Sequence, residues 1–240
     1  MDVILVPGFW LNASAWDAVT PPLVAAGHTV HPLTLPGMAS GDDDRSGVTL
    51  ADHVAAVVEQ IDALPADAEV ALVGHSAGGG LVYAASDARP GRVARVVYVD
   101  SGPFADGQAV DADLPADVVD HDLPDWADLD DQSLVGLTDE LRRQFRERAV
   151  PQPGATVREP HRLSDDLSRL DVPTTVVASE MPSDVLRGLM AQGHPYVAEL
   201  SRHHDYEIVD LPTGHWPMFT RPTDLGDAIA AALAPRTGEG

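Results

Sequence analysis

The sequence of 240 residues predicts an α/β fold, in which a mostly parallel sheet of about six strands is flanked by helices. Short apolar runs alternate with amphipathic segments along most of the chain, the rhythm of strands joined by helical crossovers. One run, Val70-Ala71-Leu72-Val73, passes through Gly74-His75-Ser76-Ala77-Gly78 straight into a helical stretch, a strand-turn-helix signature. The chain is 44% hydrophobic, enough for one domain with a substantial core.

Val3 to Val6 reads as a buried strand ending in Pro7-Gly8, and an amphipathic helix from Ser14 to Ala26 follows, stopped by Gly27. Thr29 to Leu33 is the second strand. Thr49 caps a helix over Leu50 to Leu64, on which Leu50, Val54, Val57, Val58 and Ile61 share one face. Val70 to Val73 is the third strand, Ala77 to Ala88 the next helix, and Val93 to Val99 a fourth strand ending at Asp100. The rhythm breaks over Gly102 to Asp171, rich in Pro, Asp and Gly, with one strong helix at Ser133 to Arg148. Residues 102–171 are therefore expected to form a small helical cap on a core of residues 1–101 and 172–240. The core resumes with a strand at Pro173 to Ser179, helices across Val185 to Leu200, a strand at Tyr206 to Leu211 and a last helix from Thr223 to Leu233.

Within this frame the five residues around Ser76 are expected to form a nucleophile elbow. The sharp turn strains its central residue, and the small residues at 74 and 78 let the neighbouring chain pass close by. A serine hydroxyl needs a base at neutral pH, and an imidazole, with an ordinary pKa near ~6.5, is the usual one. Of the ten histidines, His215 has the expected place on the loop after the last strand, in Pro212-Thr213-Gly214-His215-Trp216. The acid that would orient it is expected to be Asp100, at the carboxyl end of the strand after the nucleophile helix; Asp184 and Glu180, after the penultimate strand, are the alternatives. Ser183 reads as a helix N-cap, which would make Asp184 an ordinary first-turn acid. The amides of Phe9 and Ala77 are expected to form the oxyanion hole, and Trp10, His75, Trp126, Phe145 and Trp216 to line the substrate pocket.

Composition excludes several chemistries. There are no cysteines, so no disulfide or thiolate nucleophile, and all 15 basic residues are Arg, so no Schiff base or P-loop lysine. The 38 acidic residues bring the net charge to −23, a surface that repels nucleic acid and anionic membranes. The runs Asp42 to Asp44 and Asp128 to Asp131 lack the spacing of a calcium loop and read as solvated surface. No metal or cofactor is expected. Without a signal-like segment or an apolar run long enough to span a bilayer, the expectation is a cytoplasmic protein, monomeric or homodimeric.

Over nearly its whole length the chain resembles the α/β-hydrolase superfamily, and among its branches the short-capped esterases of the plant methylesterase and hydroxynitrile lyase type. The resemblance is carried by Leu5 to Trp10, by Gly74 to Gly78, and by Gly214-His215 with Arg221-Pro222 beyond. Pro7-Gly8 stands where that branch commonly has His-Gly, which leaves the oxyanion hole to backbone amides. The lyases of the branch use a lysine near the histidine, which this chain lacks. Some haloalkane dehalogenases resemble it in carrying the acid after the strand that follows the nucleophile, although their nucleophile is Asp. The resemblance and the residues together imply a serine hydrolase acting on a small, largely uncharged ester. A lactonase or thioesterase would share the same residues, and the rival reading is a non-hydrolytic catalyst or binding protein on the same fold.

Overall fold

The computed structural model describes residues 1–234. In chain order the elements are β1 (Asp2–Val6), α1 (Thr20–Ala25), β2 (Thr29–Pro32), α2 (Leu50–Ala63), β3 (Val70–His75), α3 (Gly78–Ala88) and β4 (Val93–Val99). A long excursion follows with β5 (Asp120–His121), α4 (Asp139–Arg148), β6 (Gln152–Pro153) and α5 (Gly154–Arg158). The chain then completes β7 (Thr174–Ala178), α6 (Ser183–Ala191), β8 (Tyr206–Asp210), α7 (Pro217–Thr220) and α8 (Pro222–Leu233). Six strands form one parallel sheet in the order β2-β1-β3-β4-β7-β8, and β5 and β6 pair separately as a short antiparallel ribbon.

Both faces of the sheet are covered, which is why its central strands are continuous apolar runs rather than alternating ones. Ile4, Leu72, Val96, Tyr98 and Val176 pack with Val57 and Ile61 of α2 and with Val82 and Ala85 of α3. The alternate residues Val3, Leu5, Ala71, Val73, Val97 and Val177 pack with Trp16, with Leu23 of α1 and with Leu225 and Ile229 of α8. The start of α2 is fixed by a capping box: the Thr49 hydroxyl oxygen accepts from the Asp52 amide, and the Asp52 carboxylate accepts from the Thr49 amide.

Three helices differ from the sequence pattern, each for a local reason. The helix expected over 14–26 is a 3-10 turn at Ala13–Trp16 followed by α1, because Pro21 and Pro22 lack amides and are accommodated only in a first helical turn. That expected over 133–148 begins only at Asp139, since Gly136 has φ +83° and Thr138 supplies the cap. Beyond β7, α6 ends at Ala191, and Gly193 (φ +64°) and Pro195 divide it from short 3-10 turns at Pro195–Val197 and Leu200–Arg202. Ser183 is not the cap of α6. Pro182 occupies that position, and the amide and hydroxyl of Ser183 donate instead to Asp210.

Burial of three histidines is expected to make the fold acid-sensitive. Removal from water pushes the ring of His75 down to about 3, and those of His161 and His203 to about 4 each. The folded rings stay neutral while the unfolded chain takes up protons below about pH 6.5. The associated stability is complete above that pH and is lost as the pH falls toward 4, at roughly 1.4 kcal/mol per pH unit per ring. The urea midpoint is therefore expected to fall between pH 7 and pH 5, by an amount on the order of a few kcal/mol in unfolding free energy. A midpoint unchanged or raised at pH 5 would show that these rings are protonated in the folded protein.

Candidate active site

The turn after β3 is built around one strained residue. Ser76 has φ +51°, a left-handed conformation that side-chain-bearing residues seldom adopt. It is held there from several directions: its amide donates to the Val99 carbonyl at 3.2 Å, while its carbonyl accepts from the Ser101 hydroxyl at 2.6 Å and from the Gly79 amide at 2.9 Å. The flanking glycines make the turn sterically feasible. A Cβ on Gly74 would lie 2.5 Å from the Gly78 carbonyl oxygen, and one on Gly78 2.6 Å from that of Pro7.

His215 reaches this turn from the loop after β8. Its amide donates to the Ser133 carbonyl and that of Gly214 to the Val135 carbonyl, so the excursion between β4 and β7 pins the loop. Nε2 of His215 lies 2.8 Å from Ser76 Oγ, and Nδ1 lies 2.6 Å from Asp100 Oδ2. A carboxylate only accepts, so Nδ1 carries the proton and Nε2 is free to accept from the serine hydroxyl.

Asp100 is itself strained, with φ +44°, and its side chain is nine-tenths buried. Burial pushes its carboxyl up, but the hydrogen bond and charge of His215 and the amides of Glu180 and Ser179 outweigh this and hold it below the usual carboxylate range. Those amides donate to Oδ1 at 2.8 and 3.0 Å. The segment after the penultimate strand thus supplies donors that hold the carboxylate of Asp100. Of the two alternatives expected there, Asp184 is exposed and, among the described residues, accepts only from the Val185 amide. Glu180 stands with Oε2 3.6 Å from His215 Nδ1 and Oε1 accepting from the Ser133 hydroxyl.

Beside Ser76 opens a cavity of about 200 Å³. Phe9 and Ala77 both line it, and among the described residues their amides donate to no protein acceptor. Two free N–H groups flanking a hydroxyl held against an imidazole are suited to receive an oxyanion. The remaining wall is largely apolar, with Phe104 and Val110 following β4, and Met181, Leu186, Tyr196, Val197 and Leu200 following β7.

The match of residues 3–228 to the family model described as "Alpha/beta hydrolase family" decides the assignment. The chain belongs to the alpha/beta hydrolase family. This α/β-hydrolase is 26% identical to a pyrethroid hydrolase of Sphingobium wenxiniae, over 95% of this chain and 86% of that protein. It is 38% identical to methylesterase 8 of Arabidopsis thaliana over a shorter stretch, 41% of this chain and 36% of that protein. Its fold matches that of a solved extracellular α/β-hydrolase from a Paenibacillus species, with a TM-score of 0.75 and 23% identity over 97% of this chain and 98% of that one. Among the described residues of the hydrolase, no helix is long and apolar enough to cross a membrane.

The pocket of this α/β-hydrolase is not lined by the aromatic residues expected from its sequence. Phe145 and Trp216 are buried and do not line the cavity; Phe145 stacks on Phe219 at 4.8 Å and meets Trp126 and Trp216 at 5.7 and 5.2 Å. Large apolar side chains there gain more by filling the interface between the excursion and the sheet than by facing a cavity. Trp10, at φ +64°, stacks on His121 and donates its indole N–H to the His121 carbonyl. His75 is wholly buried and donates from Nε2 to the His215 carbonyl at 2.7 Å, so it fastens the histidine loop to the elbow. The lining residues that sequence reasoning missed lie just beyond β4 and β7. The rule that ligands sit at strand carboxyl ends is the one signal that could have found them.

Proposed function

We propose that this carboxylic ester hydrolase cleaves a small, largely uncharged ester through an acyl-enzyme on Ser76. The observation that carries the reading is the unbroken hydrogen-bonded chain from Ser76 Oγ through His215 to Asp100, ending at an apolar cavity with two unspent amides. As Oγ attacks the ester carbonyl, its proton passes to His215 Nε2, and Asp100 stabilises the imidazolium that results. The amides of Phe9 and Ala77 receive the oxyanion. Collapse expels the alcohol, which takes the proton from Nε2, and a water molecule activated by the same nitrogen then releases the acid. In this reading the excursion 102–171 serves as a cap, contributing Phe104 and Val110 to the cavity.

The uncharged character of the substrate rests on the lining, which contains no Arg. Arg142 and Arg146, on the helix that carries Phe145, are engaged with the carbonyls of Leu137 and Pro124. The hydrolase relatives, among them the pyrethroid hydrolase and methylesterase 8, support the same reaction class. Incubation with a fluorophosphonate is expected to add one probe per chain, mapped to Ser76 by peptide mass and absent from Ser76→Ala. A folded protein that takes up no probe, or takes it up elsewhere, would overturn the reading.

A further inference from the structure

His215 Nδ1 faces two carboxylates. Asp100 Oδ2 is the direct partner at 2.6 Å, and Glu180 Oε2 lies 3.6 Å away on a side chain less than a third exposed. That second distance is too long for a hydrogen bond but short for an ion pair. Glu180 is not there by chance of a loose surface loop. Its amide is bound to Asp100 Oδ1, its Oε1 accepts from Ser133, and Ser133 in turn accepts the amide of His215 on its carbonyl. Acid, base and second carboxylate are thereby one cross-braced unit.

We propose that Glu180 is a positioning residue for His215, a reserve carboxylate that supports the imidazolium alongside Asp100 and takes over part of its role when Asp100 is lost. The proposal rests on the reading of His215 as the base. When Ser76 Oγ bonds to the electrophile and its proton moves to Nε2, the ring becomes a cation with both N–H groups in place. The Asp100 and Glu180 carboxylates then share one positive charge. Before that step the two carboxylates repel, and burial, with Asp100 and Asp130, holds the Glu180 carboxyl above the usual range against the opposing pull of His215 and the Ser133 hydroxyl. Tyr196, a cavity-lining residue that is itself largely exposed, also feels the charges of Asp100 and Glu180, which push its phenol up. The arrangement makes Glu180 most effective as a carboxylate at the moment His215 is charged.

The test uses the full-length protein and the rate of Ser76 phosphonylation by a fluorophosphonate between pH 5 and 9. In that reaction the Oγ–P bond forms, fluoride leaves and the hydroxyl proton goes to Nε2. Glu180→Gln keeps the backbone donor to Asp100 and an Oε1 acceptor for Ser133, so it removes charge with little change of shape. It is expected to slow labelling about three- to tenfold, and to move the acid limb of the rate profile to lower pH, because an anion that favours protonation of the base has gone. In an Asp100→Asn background the same substitution is expected to cost at least about tenfold more than in the parent, the mark of two groups acting on one ring. Equal costs in the two backgrounds with an unmoved acid limb would overturn the proposal while leaving the acyl-enzyme reading intact. Undiminished labelling of His215→Gln would instead overturn that reading, and this proposal with it.

Discussion

Ser76→Ala is expected to lower hydrolysis of a short 4-nitrophenyl ester by about 10⁵- to 10⁶-fold while leaving the circular dichroism spectrum unchanged. The substitution removes one oxygen, the one that lies 2.8 Å from His215 Nε2. It leaves in place the bonds that hold the strained backbone, since these run through the Ser76 amide and carbonyl to Val99, Ser101 and Gly79. Alanine has no nucleophile, so covalent catalysis ceases and His215 has no hydroxyl to deprotonate. Residual rate would come from the Phe9 and Ala77 amides and from water. Turnover retained within tenfold would mean that the cavity acts on its ligand without the serine, as a lyase or a non-covalent catalyst would.

Of the three non-glycine residues with positive φ among the described residues, Ser76 and Asp100 directly follow β3 and β4 and meet at His215, while Trp10 lies further along the loop after β1. Strain of this kind is tolerated where surrounding contacts over-determine it. The apolar runs, the glycines at 74 and 78 and the position of His215 after the last strand were legible in the sequence, because each follows from local sterics or from chain order. The breaks in the helices were legible only in part. Pro21-Pro22 and Gly136 are visible as residues, but amphipathic spacing on either side hides the interruption. The pocket lining was the least legible. Phe145 and Trp216 have the composition expected of a binding site and fill the core, whereas Leu186, Val197 and Leu200 look like core and face the cavity. Which apolar side chain meets a void is decided by how loops after β4 and β7 close over the sheet, and no short-range pattern records that.

Asp100→Asn is expected to cut turnover by about 10³- to 10⁴-fold, and Asp184→Asn to leave it nearly unchanged. The asymmetry follows from how the two carboxylates are held. Oδ1 of Asp100 accepts from two backbone amides, those of Ser179 and Glu180. In the Asn variant those donors fix the amide oxygen on their side and turn the NH₂ group toward His215 Nδ1. An NH₂ group there favours the tautomer protonated at Nε2, which blocks acceptance of the Ser76 hydroxyl, and only the minor share of rings that keep a proton on Nδ1 beside Glu180 Oε2, 3.6 Å away, stay productive. The fold should survive, because Asn tolerates the φ of +44° found at this position better than most side chains. Asp184 lies exposed at the start of α6, its carboxylate accepting from the Val185 amide, and its neutralisation removes one favourable charge at a helix N-terminus. Turnover numbers of the two variants, measured side by side with the parent, decide between them. The opposite ranking would place the acid after β7 and would mean that the 2.6 Å contact between Asp100 and His215 serves the fold alone.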